Sequence, residues 1–363
     1  MNICIVVGTR PEIIKMSPIV RECEKRQLNY FMIHTNQHYS YNMDRIFFEE
    51  LQLAEPKYNL EVGSGTHGAQ TGKMLIELEK IISKEMPDIV LVEGDTNTIL
   101  AASLCASKLH IDVGHVEAGL RSFDRAMPEE LNRLLADHLS TFLFAPTKIS
   151  KGNLTNEGIP ENKIFVVGNT IVDATLRHLK IAQSKSKIME KLNLIESGYL
   201  LLTLHRQENV DDKDRLEKIV TSIEEIVKDF KLPILYPIHP RSDKMIKKFG
   251  LKERLESNSK IRLIEPVGYL DFLVLEKNAK LVLTDSGGVQ EETCIMNVPC
   301  VTLRYNTERP ETVEVGKNVI VGVETKDVLE GVQEMINKEL GPENPFGDGR
   351  TGEKIVDILV ESY

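Results

Sequence analysis

Short runs of aliphatic and β-branched residues alternate along this chain with longer amphipathic stretches, and the whole alternation occurs twice. In the first half, "ICIVVG", "FMIHT", "DIVLVEGD", "VGHVEAG", "TFLFAPT" and "IFVVGNT" are separated by stretches such as "PEIIKMSPIVRECEKR", "TGKMLIELEKIISKEM", "NTILAASLCASKL" and "PEELNRLLADHLS". Apolar runs this brief read as strands covered on both faces, and the stretches between them carry helical periodicity. Strand–helix alternation predicts a parallel, doubly wound sheet. The pattern restarts with "YLLLTLHR", "PILYPIHP", "IRLIEPV", "LVLTDSGG", "CVTLR" and "NVIVGV", again with helical stretches between. At 363 residues the chain also exceeds one typical core. The expectation is an α/β protein with two Rossmann-like domains, residues 1–168 and 169–345, and a deep cleft between them. The break is expected near 168–185, in "GNTIVDATLRHLKIAQSKSKIMEKLN". After the Pro- and Gly-rich "GPENPFGDGRTG", residues 346–363 read as a last helix able to cross back onto the first domain.

Composition removes several classes of function. The net charge is −10 and no clustered Lys/Arg run occurs, so nucleic acid is not expected as the main partner. No apolar run is long enough to span a bilayer, so no membrane partner is expected. "MNICIVVGTRPE" has no basic n-region and enters a strand at once, which predicts no signal peptide and a cytoplasmic protein. Cys4, Cys23, Cys105, Cys294 and Cys300 form no CxxC and read as buried reduced thiols. No HExxH or Cys/His spacing suggests a metal.

Ligands of open α/β sheets bind beyond the carboxyl ends of the strands, and polar residues gather there in both halves. In "VVGTRPEIIK", Gly8 ends a strand and Pro11 suits a first helical turn. Arg10 and Lys15 can then face an anion at the helix N-terminus. In "VEGDTNT", Asp95 is either the cap of the next helix or is freed by Thr96 or Asn97 capping instead. Glu117, in "GHVEAGLRS", lies in an apolar run, where a carboxylate needs a task or a partner such as Arg121. In "MPEELNR", Glu129 and Glu130 open a helix, and the helix dipole alone accounts for at least one of them. In the second half, "LTLHRQEN" sets His205 and Arg206 at a strand end, and "YPIHPRSD" does the same for His239. The sharpest motif is "LTDSGGVQEE". Ser286, Gly287 and Gly288 bring backbone N–H groups to a helix N-terminus, a cradle suited to a diphosphate. Glu292, one turn on, could accept two vicinal hydroxyls such as a ribose diol.

Taken together, "GTRPEIIKMSP", "GDTNT", "HVEAGLRS", "PEELNR", "LHRQEN", "TDSGGVQEE" and "TERPET" resemble the non-hydrolysing UDP-N-acetylglucosamine 2-epimerase family. The resemblance runs nearly end to end, with the motifs in family order. It implies two Rossmann-like domains of the GT-B glycosyltransferase type and a homodimer. It also implies interconversion of UDP-GlcNAc and UDP-ManNAc without NAD or an essential metal. UDP is eliminated to leave 2-acetamidoglucal and then added back, and the ManNAc-type product feeds surface polysaccharide. Carried over residue by residue, Asp95, Glu117 and Glu129 are the acid/base carboxylates. Arg10, Lys15 and His205 contact the diphosphate and leaving group. Ser286, Gly287 and Gly288 hold phosphate, Glu292 binds the uridine ribose, Tyr269 flanks the uracil, and Arg304 and Arg309 lie near the pocket.

Two departures from the family pattern stand out. Gln37, His38, Glu129, Arg206 and His239 match the pocket where bacterial members bind a second, activating UDP-GlcNAc. Yet "EVGSGTHGAQTGK", where a further Arg is expected, has none. The loop "LRSFDRAMPEE" that carries Glu129 is also shorter than in many bacterial relatives. A hydrolysing relative usually reads Arg-Ala-Asp where this chain reads Arg10-Pro11-Glu12, which favours the epimerase. Epimerases of modified sugars share the same framework.

Overall fold

A computed structural model describes residues 1–36 and 48–363. Gln37 and His38 lie outside the described residues.

The first unit is built on β1 (Asn2–Val7), β2 (Asn29–His34), β3 (Tyr58–Asn59), β4 (Ile89–Glu93), β5 (Asp112–Val116), β6 (Phe142–Ala145) and β7 (Ile164–Val166). They form one parallel sheet in the order β3-β2-β1-β4-β5-β6-β7. Its helices are α1 (Arg10–Lys25), α2 (His67–Glu85), α3 (Asn97–Lys108), α4 (Pro128–Leu139), α5 (Lys148–Asn156) and α6 (Thr170–Lys185). Every expected strand and helix of this half is present. β3 and α5 were not foreseen, because "YN" is too short to show a period and "KISKGNLTN" is mostly polar.

Local chemistry explains the elements that frame the site. β1 is buried at Ile3–Val7, as a strand covered on both faces must be. Gly8 follows because nothing larger fits. A Cβ there would stand 2.0 Å from the Thr98 hydroxyl and 2.5 Å from that of Thr35. Pro11 lies in the first turn of α1, where no N–H partner is lost. Pro18 lies inside the same helix and cannot donate to the Ile14 carbonyl. The Ser17 hydroxyl donates to that oxygen instead, at 2.7 Å. The C-terminal helix Thr351–Ser362 packs on α1 at this point, and a Cβ on Gly352 would come within 2.9 Å of Pro18. Asp173 caps that helix, accepting from the Thr351 and Gly352 N–H groups at 3.1 and 3.0 Å.

The second unit carries β8 (Leu200–Thr203), β9 (Ile234–Pro237), β10 (Ile261–Ile264), β11 (Leu281–Thr284), β12 (Cys300–Thr302) and β13 (Asn318–Ile320). This parallel sheet has the order β10-β9-β8-β11-β12-β13, which is the Rossmann order. Its helices include α7 (Lys213–Phe230), α8 (Pro240–Lys248), α9 (Tyr269–Lys277), α10 (Gly287–Met296) and α11 (Thr325–Met335). α7 shows why they form. Asp212 caps it, accepting from the Arg215 N–H at 2.9 Å, and Leu216, Ile219, Val220, Ile223, Ile226 and Val227 make one buried stripe. Burial of each such side chain contributes about 1.5–3 kcal/mol. α8 was not foreseen, since "PRSDKMIKK" offers only two apolar residues.

The chain thus divides into Met1–Ala174 with Phe346–Tyr363, and Thr175–Pro345. The division falls inside α6, between residues 174 and 175. In both sheets the strand order reverses beside the first strand, between β1 and β4 and between β8 and β11. Those switch points are where a doubly wound sheet presents a ligand crevice. All five cysteines are buried and free.

Candidate active site

In the first unit, β1, β4 and β5 end side by side and deliver the charged groups. Lys15, one turn into α1, is 7% exposed. Its ammonium donates to both Glu117 oxygens at 2.7 Å and lies 3.4 Å from Glu93. Glu117 follows β5 with φ +70°, a left-handed conformation that costs a non-glycine residue about 1–3 kcal/mol. The lysine bonds and a 3.0 Å hydrogen bond from the Asn169 amide hold it there. Glu93 is the last residue of β4. Burial raises its pKa well above the ordinary 4.5; Lys15 opposes that shift and Glu117 adds to it. The expected structural partner of Glu117, Arg121, is elsewhere. It pairs with Asp137 at 2.7 Å and Glu157 at 2.6 Å.

Asp95 does not cap α3. Thr96 does, accepting from the Thr98 N–H at 3.2 Å. Asp95 is bound instead by Arg133 of α4 at 2.8 Å, and its backbone carbonyl accepts from Asn132 at 2.9 Å. Glu130 is not the solvated helix-start charge that local chemistry suggests. It is buried, accepts from the Ser122 and Phe123 N–H groups at 3.0 and 2.9 Å, and pairs with Arg133 at 3.1 Å. Glu129 beside it is exposed. Arg133 therefore links the Glu130-pinned loop to Asp95. Arg10 opens α1 and is partly buried. Glu12 closes the β1–α1 turn, accepting from the Gly8 N–H at 2.5 Å and the Thr9 hydroxyl at 3.1 Å. Burial pushes its carboxyl up to about 7.

In the second unit, His205 follows β8 and is half-exposed, with Nδ1 3.2 Å from Asp285. Asp285 ends β11 and is fully buried. It also accepts from the His205 and Arg206 backbone N–H groups at 3.1 and 3.0 Å. Burial opposes its ionisation, but His205 and these N–H groups hold its pKa below the usual carboxylate value. His239 caps α8, and its ring is 5.8 Å from that of His205. Burial first, and then His205 and Arg241, lower the His239 pKa. Ser286 precedes α10 in extended geometry, and Gly287 and Gly288 open the helix. Glu292 is 7% exposed and accepts from the Tyr269 hydroxyl at 3.2 Å. Arg309 pairs with Glu291 at 2.5 Å. Arg304 is fully buried in a bidentate pair with Glu308, 2.9 Å at each oxygen. Arg206 lies 3.9 Å from Glu308.

The family model for UDP-N-acetylglucosamine 2-epimerase matches residues 21–360. The chain belongs to this family. It is accordingly an isomerase, with the two-domain α/β fold of its relatives. It is 63% identical to the UDP-N-acetylglucosamine 2-epimerase of Methanocaldococcus jannaschii over 99% of each chain. It is 58% identical to the enzyme of that name from Methanococcus maripaludis, over 99% of this chain and 98% of the other. The crystal structure of the M. jannaschii UDP-GlcNAc 2-epimerase in complex with UDP-GlcNAc and UDP superposes with a TM-score of 0.93 at 62% identity. That match covers 99% of this chain and 100% of the other.

For an epimerase of this family, the geometry adds residues that the sequence reading did not single out. Glu93 and Glu276 stand behind Glu117 and Glu292, Asp285 orients His205, and Arg133 holds Asp95. A signal for two of them existed. Glu93 ends "IVLVE" and Glu276 sits in "FLVLEK", and the argument from a carboxylate in an apolar run applies to both as it did to Glu117. No helix among the described residues is long and apolar enough to cross a membrane.

Proposed function

We propose that the chain interconverts UDP-GlcNAc and UDP-ManNAc by anti elimination of UDP and its re-addition to the opposite face. No carbonyl stands beside C2 of an N-acetylhexosamine, so its hydrogen is not acidic in the ground state. Loosening the C1–O bond first puts oxocarbenium character next to C2 and acidifies that C–H. Elimination then leaves 2-acetamidoglucal and UDP. UDP returns to C1 while a proton arrives at C2 from the other face. Two proton-transfer groups are needed, and the diphosphate must be held while unbonded.

The observation that supports this most is the buried Lys15–Glu117–Glu93 cluster at the β1/β4 switch. It keeps a carboxylate in low dielectric with a second carboxyl able to share its proton, an arrangement suited to base chemistry near neutrality. Asp95 and Glu129 are the other proposed proton carriers; a general acid or base contributes roughly 10²–10⁴-fold. Arg10 and Lys15, His205, and the N-terminal N–H groups of α10 at Ser286, Gly287 and Gly288 stabilise the diphosphate. Glu292 takes the ribose, Tyr269 lies beside the base, and Arg309 supports the pocket. The protein works as a cytoplasmic homodimer, needs no nicotinamide or metal, and supplies ManNAc-type sugar for surface polysaccharide.

The test is UDP-GlcNAc with the protein in D₂O, followed by proton NMR. UDP-ManNAc bearing deuterium at C2 is expected. With neither exchange nor a new anomeric signal, the proposal fails for this substrate. Free ManNAc as the main product reassigns the chain to hydrolysis.

A further inference from the structure

We infer that Glu276 is a positioning residue for nucleotide recognition, holding a proton that it donates to Glu292 so that Glu292 presents a single, fixed negative charge to the ribose diol. This rests on the reading of Glu292 as the ribose ligand. Glu276 lies on α9 and is fully buried, and neither of its carboxyl oxygens has a conventional hydrogen-bond donor in reach. The Glu292 carboxyl, on α10, is its neighbour, and Tyr269, seven residues earlier on the same face of α9, reaches that carboxyl as well. Two carboxylates so placed cannot both be charged, because no solvent screens them, so one keeps a proton and gives it to the other. Glu276 is the one that keeps it. Burial raises its pKa well above the ordinary 4.5, and the Glu292 charge raises it further. Tyr199 and Cys300 also face Glu276, and neither brings a positive charge. Glu292 has the better support for charge, because the Tyr269 hydroxyl donates to Oε1 at 3.2 Å. The tyrosine ring is in turn held by the edge of His178, with centroids 5.7 Å apart. Two donors from within, Glu276 and the Tyr269 hydroxyl, thus fix the plane of the Glu292 carboxylate.

The test is isothermal titration of the whole enzyme with UDP and with 2′-deoxy-UDP, beside KM and kcat. Glu276→Met removes the donor but fills the site with apolar atoms, a replacement that is often neutral or stabilising at a buried charged position. It is expected to weaken UDP about tenfold, to leave 2′-deoxy-UDP nearly unaffected, and to act on KM rather than kcat. Glu276→Gln still donates through its amide, so it should keep the preference for UDP within about twofold. If folded Glu276→Met discriminates as the parent does, or if Glu276→Gln loses the preference, the inference is overturned. Glu292→Gln separates the two layers. Loss of discrimination in Glu292→Gln but not in Glu276→Met removes only the role of Glu276. Full discrimination in Glu292→Gln removes the ribose assignment, and the role of Glu276 with it.

Discussion

Each unit places a buried pair of glutamates behind its switch point, and the two pairs differ in one group. In the first unit, Glu93 and Glu117 share Lys15. In the second, Glu292 accepts from the Tyr269 hydroxyl and lies against Glu276. An ammonium at 2.7 Å offsets much of the repulsion between two carboxyls, so the charge on that pair can change without leaving an uncompensated ion. On the inference drawn above, a proton held by Glu276 does in the second pair what the lysine does in the first. The first arrangement suits a group that gives and takes protons; the second suits one that binds with a constant charge. The same residue type, buried in both units, is thereby fitted by its third neighbour to the two tasks proposed for it.

Removing the cation is expected to break the comparison most severely. Lys15→Met should cost about 3–5 kcal/mol in urea unfolding, since two carboxyls lose their buried counter-charge, and C2 exchange should vanish with it. Wild-type stability would show that the pair does not depend on the lysine. Next in size, Glu117→Gln should slow deuterium exchange at C2 by roughly 10²–10⁴-fold while UDP affinity by titration stays the same. Unchanged turnover would return Glu117 to a structural role. Tyr269→Phe deletes one hydrogen bond of the second pair, a loss of about 1 kcal/mol, or fivefold in UDP affinity.

Glu93→Gln should give the smallest effect at low pH and a growing one at high pH. The Glu93 pKa is raised on folding, so its favourable contribution is complete below about pH 4.5, the ordinary value, and is lost as pH rises through the raised one. Glutamine does not titrate. The variant should therefore gain stability over the parent as pH rises above 4.5, by up to about 1.4 kcal/mol per unit. Parallel unfolding curves from pH 5 to 8 would contradict the burial argument for Glu93.

The fold was legible because its strands are short, continuous apolar runs, and each of the twelve quoted runs is a strand. Partners across the sheet were less legible. A local reading gave Glu117 the nearest cation, Arg121, whereas parallel strand order brings Lys15 to it from 102 positions away. Arg121 is drawn off by Asp137, which His115 also holds, at 2.6 Å. Glu130 looked like a dipole charge because its task, two backbone N–H groups of the preceding loop, depends on how that loop folds back. Thr96 against Asp95 as the cap was open in the sequence and is decided by Arg133, which reaches Asp95 from a helix further along the chain.

The seam between Pro18 and Gly352 carries a consequence for how the chain is made. The first unit is closed by a helix that begins at Thr351, whereas the second is one uninterrupted segment, Thr175–Pro345. On the ribosome, all of the second unit has been synthesised before the last piece of the first. Until Ile355, Val356 and Leu359 arrive, α1 waits with an apolar face uncovered. The half of the molecule whose synthesis begins first thus cannot close until the other half has been made.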